Sequence, residues 1–148
     1  MSREKSFVKI YEPANSVAIT PEEASAALTK WVETMQKGDA EEVTTLYDDS
    51  SAFWGTMAQE LATTPASALD YLQHFLAGKN NLQISIDTRY SQSAGSVCLI
   101  SGSYTFRFAD DSGEAQSVPA RYSFGFMKKG NAGVVIISHH SSQFPSLG

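Results

Sequence analysis

Three arginines, Arg89, Arg107 and Arg121, fall in stretches where apolar and polar residues alternate, and two adjacent histidines, His139 and His140, close the run Val134-Val135-Ile136-Ile137-Ser138. A guanidinium keeps its charge in a protein, so an arginine in mid-strand that faces inward needs an anionic partner. Two or three that converge form a site of carboxylate or phosphate size. The plainer alternative is that they lie on the surface or pair with Asp70, Asp87 or Glu114. Neighbouring residues of a strand face opposite ways, so only one of the two histidines points inward. That one either serves as a general acid or base or hydrogen-bonds within the core. The pair cannot supply two ligands to one metal. His74 is the remaining histidine and Cys98 the single cysteine, with no metal-ligand spacing between them, so no metal site is expected. No Gly-x-Ser-x-Gly elbow and no Gly-rich phosphate loop is present, so neither a Ser-His-Asp hydrolase nor a nucleotide cofactor is expected.

The elements that must position these residues are readable in order. Thr20-Pro21-Glu22-Glu23 combines a cap, a proline suited to the first helical turn and a capping-box glutamate. Ala24, Ala27, Leu28, Trp31, Val32 and Met35 then form one apolar stripe at helical spacing, which makes Trp31 and Met35 core residues. Gly38-Asp39 ends this helix and caps a short second one over residues 40–46. Tyr47-Asp48-Asp49-Ser50 reads as a turn, Ser51-Ala52-Phe53-Trp54 as a short strand, and Thr64-Pro65 opens a third helix with Leu69, Leu72, Phe75 and Leu76 buried. From Asn81 the period changes to two, through Leu82, Ile84 and Ile86. Strands over residues 96–108 and 116–128 follow, joined by Asp110-Asp111-Ser112-Gly113; Pro119 in the second marks an edge or a bulge. In these strands Tyr104, Phe106 and Phe108 share one face, and Tyr122, Phe124 and Phe126 another. The opposite faces carry Arg107 or Arg121 among small polar residues. Helices followed by an antiparallel meander are an α+β layout, in which long bent strands curl round the helices and enclose a pocket.

The totals set the bounds. A chain of 148 residues, 42% hydrophobic and 18% charged, has the composition of one folded domain. Residues 1–19 read as an N-terminal arm, with Phe7-Val8-Lys9-Ile10-Tyr11 as its apolar piece, a short strand or an arm lying on a partner. Residues 20–148 read as the domain. A net charge of −5 without clustered lysine or arginine argues against nucleic-acid or anionic-membrane partners. No stretch is apolar enough for a signal peptide or a membrane span, and the lone Cys98, in an apolar run, is a small buried hydrophobe; a cytoplasmic location is expected.

The capped helix with Trp31, the Gly38-Asp39 break, Leu46-Tyr47-Asp48-Asp49 with Phe53, and four strands ending His139-His140-Ser141-Ser142-Gln143-Phe144-Pro145 together resemble the nuclear transport factor 2-like superfamily. Within it the chain is most similar to the association (hub) domain of calcium/calmodulin-dependent protein kinase II and its stand-alone bacterial, SnoaL-like relatives. The resemblance implies a cone-shaped fold and a homodimer formed through the outer face of the sheet, open to higher assembly. It also implies an arginine-lined pocket for small carboxylates, with Arg107 the nearest counterpart, Arg121 in the strand that supplies another arginine, and His140 matching the last histidine of the hub ending. The tryptophan that usually precedes the final apolar run is replaced by Gly133-Val134. The aspartate base of the steroid-isomerase type is absent where Phe53-Trp54-Gly55 stands. Two functions follow as expectations. The first is a dimeric small-molecule-binding or assembly module with an anion-accepting pocket that includes Arg89, Arg107 and Arg121. The alternative is a small SnoaL-like enzyme, of isomerase, cyclase or dehydratase type, acting on a hydrophobic carbonyl compound. There His140 is the acid/base, Tyr47 or Tyr104 a hydrogen-bond donor and Trp54 a wall.

Overall fold

The computed structural model describes residues 8–13 and 15–147. The expected arm is therefore described only in part, and Phe7 lies outside the described residues. The elements run β1 (Ser16–Val17), α1 (Pro21–Lys37), α2 (Ala40–Thr44), β2 (Tyr47–Trp54), α3 (Pro65–Leu76), β3 (Asn80–Ala94), β4 (Val97–Ala109), β5 (Ala115–Lys129) and β6 (Gly133–Gln143). This is the α+β cone: one curved, unclosed sheet in the order β2-β6-β5-β4-β3, with β1 added antiparallel to the end of β5.

Local chemistry explains the helices. Thr20 accepts from the Glu23 N–H while Glu23 accepts from the Thr20 N–H, the expected capping box, and Gly38 closes α1 in the left-handed region at φ 79°. Thr64 and Ser67 form the same reciprocal cap on α3. The α1 stripe lies on the concave face of the sheet, where Trp31 stacks on Tyr104 at 5.6 Å and meets Phe124 edge-on at 5.1 Å. The aromatic faces of β4 and β5 therefore pack on the helices. Phe75 of α3 meets Phe106 at 5.2 Å and extends the same core.

Two departures from the sequence reading bear on the site. Tyr47–Ser50 is strand, not turn: β2 is eight residues long and pairs in parallel with β6, from Tyr47 opposite Ile136 to Trp54 opposite His140. Burial of the Tyr47 ring outweighs the turn chemistry of Asp48-Asp49-Ser50. The β5–β6 hairpin also carries a bulge. Phe126 faces Ile136 but Gly125 faces Ser138, leaving Ile137 as the extra residue. Pro119 lies in β5 beyond the last β6 pair, Ala120 with Gln143, so it occupies a local edge. Among the described residues, no helix is long and apolar enough to cross a membrane.

Candidate functional site

The bulge decides which histidine enters the cone. It places His139 opposite Phe124 on the concave face and turns His140 to the convex face. His139 is 2% exposed; its ring lies on Phe124 at 3.9 Å and on Phe53 at 5.0 Å. Its Nδ1 is 2.7 Å from the Tyr47 hydroxyl and its Nε2 3.2 Å from the Tyr104 hydroxyl.

These bonds belong to a chain with a direction. The Trp31 indole can only donate, and its Nε1–H donates to the Tyr47 oxygen at 3.1 Å. The Tyr47 O–H is then left for Nδ1, which makes His139 the neutral Nε2–H tautomer, and Nε2–H donates to the Tyr104 oxygen. Tyr104 donates onward to Ser141 Oγ at 2.6 Å, and Ser141 meets Thr56 Oγ1 at 2.6 Å. Six side chains from α1, β2, the loop after β2, β4 and β6 thus form one satisfied polar line through an aromatic core. Such a line is stable only when every member is paired.

The line carries no net charge. Burial, reinforced by the neighbouring His140, pulls the His139 pKa down to about 3. Burial also pushes the Tyr47 and Tyr104 hydroxyls well above the usual phenol range. His139 is therefore held as the neutral imidazole at pH 7 and is not a source of an imidazolium proton. What the cluster offers is neutral hydroxyl donors and acceptors at the end of an apolar chamber, suited to a carbonyl or hydroxyl oxygen.

Side chains nearly fill that chamber. A cavity of about 10 Å³ remains among Trp31, Phe53, Thr56, Tyr71, Phe106 and Ser141, about the threshold for a single water. A larger groove of about 450 Å³ lies outside it, between α3 and the loop over residues 55–64. Phe53 and Tyr71 line both spaces.

The sequence-predicted site residues divide between two faces of the sheet. Tyr47 and Tyr104 are in the buried cluster. His140, Arg107 and Arg121 are exposed on the convex side, and Arg89, opposite Gly102 on the concave side, is exposed beside Ser25 of α1; none of the four lines the chamber, which corrects their placement there. The physical reason for Arg107 and Arg121 is strand alternation: Tyr104, Phe106, Tyr122 and Phe124 take the concave face, and the two arginines interleaved with them must take the convex one. Each of the three guanidiniums donates to a serine hydroxyl, Arg89 to Ser25 of α1, Arg107 to Ser85 and Arg121 to Ser142, at 3.1, 3.0 and 3.3 Å. Among the described residues no arginine is in an ion pair. The three do not meet at one point. Arg121 shares a shallow outer pocket of about 260 Å³ with Ser123, His140 and Ser142. Trp54 is 37% exposed and lies 6.4 Å from the His140 ring, outside the chamber it was expected to wall. Sequence reasoning missed His139, Ser141, Thr56 and Tyr71 as site residues. Among the described residues, no group of three His, Cys, Asp or Glu side chains is arranged to hold a metal.

The comparisons with known proteins agree with this architecture. The family described as a SnoaL-like domain matches residues 24–146, and the chain belongs to that family. Its structural neighbours lie in the nuclear transport factor 2-like superfamily. One is a Xanthomonas campestris protein named for the calcium/calmodulin-dependent protein kinase II association domain. It is 24% identical over 93% of this chain and 100% of its own, with a TM-score of 0.78. Another is a Streptomyces avermitilis protein named as a dehydratase of the NTF2-like family, 17% identical over 84% of this chain and 97% of its own, TM-score 0.74. A third is the association domain of the Caenorhabditis elegans kinase, 18% identical over 82% of this chain and 94% of its own, TM-score 0.67. No curated protein matches the sequence.

Proposed function

We propose that the chain is a cytoplasmic, homo-oligomeric small-molecule-binding module whose ligand enters the cone and places one neutral oxygen on the Tyr104–Ser141–Thr56 hydroxyls. The observation that carries this reading is the buried, uncharged hydrogen-bond line through His139. Burying such a line costs desolvation that an apolar core would not incur, and a chamber walled by Trp31, Phe53, Leu72 and Phe106 with hydroxyls at one end matches an apolar compound bearing a carbonyl or hydroxyl. An anionic ligand finds no cation among the residues lining that chamber. A carboxylate is accommodated better on the convex face, beside Arg121 and His140.

Binding is favoured over catalysis because the one imidazole inside the cone is held neutral and fully paired, and His140 is outside it. Assembly is assigned to the convex face, where Leu99, Tyr90 and Trp54 are 47%, 69% and 37% exposed among serines. The cytoplasmic assignment rests on the single, buried Cys98.

A thermal-shift screen of neutral ketones, aldehydes and amides against carboxylates tests the reading. Carbonyl compounds are expected to stabilise the protein, with the effect lost in Tyr104→Phe and Ser141→Ala. Stabilisation by carboxylates alone, abolished by Arg107→Ala or Arg121→Ala, would instead establish an anion-binding protein.

A further inference from the structure

We infer that Tyr71 is a movable partition between two halves of one ligand site, the outer groove beside α3 and the hydroxyl cluster inside the cone. It admits a neutral, flat, apolar carbonyl compound whose oxygen takes the place of Thr56 Oγ1 on Ser141. This rests on the reading of the cone interior as a ligand site and adds to it a route and a controlling residue.

Four observations converge on Tyr71. Its ring, with Phe53, lines both the groove of about 450 Å³ and the inner cavity, so it is the wall they share. The ring lies directly over the backbone of Gly55, which is buried; a Cβ built there falls well inside contact distance of three ring atoms. Glycine at this position leaves the seat that the ring occupies. The hydroxyl is held by the Met57 N–H at 3.1 Å. Thr56, between the seat and that tether, donates or accepts at Ser141 at 2.6 Å.

Three consecutive residues therefore close the chamber. Gly55 seats the ring, Thr56 occupies the polar end, and Met57 pins the ring's hydroxyl. All three lie outside β2 and α3, in a stretch where Met57 is 64% exposed and Leu61 37% exposed. An outward shift of this short segment breaks the Thr56–Ser141 and Met57–Tyr71 bonds together. It frees Ser141 at the moment the ring leaves its seat. The groove then runs into the cavity past Phe53, whose ring meets Tyr71 edge-on at 5.3 Å. The ligand class follows from the lining. The walls are aromatic and aliphatic, the inner end offers hydroxyls only, and no lining residue of the inner cavity carries a charge at neutral pH.

The test uses acetophenone, a neutral aromatic ketone, in a Trp54→Phe background that leaves Trp31, a cavity-lining residue, as the sole tryptophan. Association is followed by stopped-flow quenching of Trp31 fluorescence. Gly55→Ala evicts the ring without deleting it, and is expected to raise the association rate constant about tenfold. Tyr71→Ala, the second variant should Gly55→Ala not fold, is expected to do the same. Ser141→Ala is expected to weaken the equilibrium affinity about tenfold while leaving the association rate within twofold. Binding that is weakened by Ser141→Ala but associates at the same rate in Gly55→Ala and Tyr71→Ala overturns the partition and leaves the binding reading standing. Absence of any saturable quenching in all variants overturns the binding reading, and the partition with it.

Discussion

Lowering the pH from 7.5 to 5 acts on one buried ring, and the size of the effect follows from its surroundings. His139 has a folded-state pKa of about 3 against an ordinary 6.5, because burial penalises the imidazolium and His140 stands beside it. The titratable groups that face the ring are Tyr47 and Tyr104, both neutral, and its protonated form would turn a second N–H onto a Tyr47 oxygen that already accepts from Trp31. The folded pKa is depressed, so the neutral ring's contribution to stability is fully present above pH 6.5. It is lost progressively as pH falls from 6.5 towards 3, where the unfolded chain binds a proton that the folded chain does not. Linkage over that interval approaches ~1.4 kcal/mol per pH unit, so the loss reaches about 2 kcal/mol at pH 5. That is a large share of the ~5–15 kcal/mol that stabilises a typical domain.

The assay is urea unfolding at pH 7.5 and pH 5.0 for the protein and for His139→Gln. Glutamine offers one acceptor for the Tyr47 hydroxyl and one donor for the Tyr104 oxygen, and it does not titrate. His74 and His140, both exposed, are present in the two proteins. The loss of stability between the two pH values is expected to be about 2 kcal/mol smaller in His139→Gln. Equal losses would refute the reasoning, since they would mean that the folded protein accepts a proton on His139 as readily as the unfolded chain.

Further outcomes test the packing and the faces of the sheet. Trp31→Ala, which empties the centre of the core beside Tyr104 and His139, is expected to cost about 3–5 kcal/mol in urea unfolding. Gly102→Ala drives a Cβ into the backbone carbonyl of Thr88, which no rotamer change relieves; hydrogen exchange should show β3 and β4 losing protection, with a cost of at least about 1–3 kcal/mol. Leu99→Asp or Arg121→Glu on the convex face should shift the oligomer towards monomer in light scattering while leaving the melting of isolated subunits close to unchanged. The Cys98 thiol, buried and with its pKa pushed up by burial, should not react with a thiol reagent until the chain unfolds.

Most of the scaffold was legible because its signals are local. The Thr20 and Thr64 caps, the α1 stripe and the period-two runs of β3 to β5 each lie within one element and need no knowledge of the partner. The hollow was not legible to the same degree. Alternation does separate Tyr104 and Phe124 from Arg107 and Arg121, but it does not say which set faces the helices. The amphipathic stripe of α1 settles that: Trp31 and Leu28 need an apolar partner, and the aromatic face is the one that supplies it. Arg107 and Arg121 were then bound to lie outside.

The histidines show why the remaining error was hard to avoid from sequence. Counting back from the turn, with Lys129 opposite Gly133, an unbroken ladder sets Phe126 against Ile136, as observed, and would go on to set Tyr122 against His140. His140 would then point inward beside the aromatic face and His139 outward. One extra residue, Ile137, reverses this and sets Phe124 against His139 and Tyr122 against Ser141. Gly125 opposite the bulge is the one local sign of it, since a glycine inside a strand often marks a bulge; a Cβ there would make ordinary contacts with Ser138 at 3.4 Å and Ile137 at 3.6 Å. The energetic reason for the bulge lies in residues far away in sequence. The inward position is flanked by the Tyr47 and Tyr104 hydroxyls and stacked between Phe53 and Phe124, and His139 in that place pairs both ring nitrogens. Which histidine the cone takes is therefore set jointly by α1, β2 and β4, through a hydrogen-bond line that begins at an indole able only to donate.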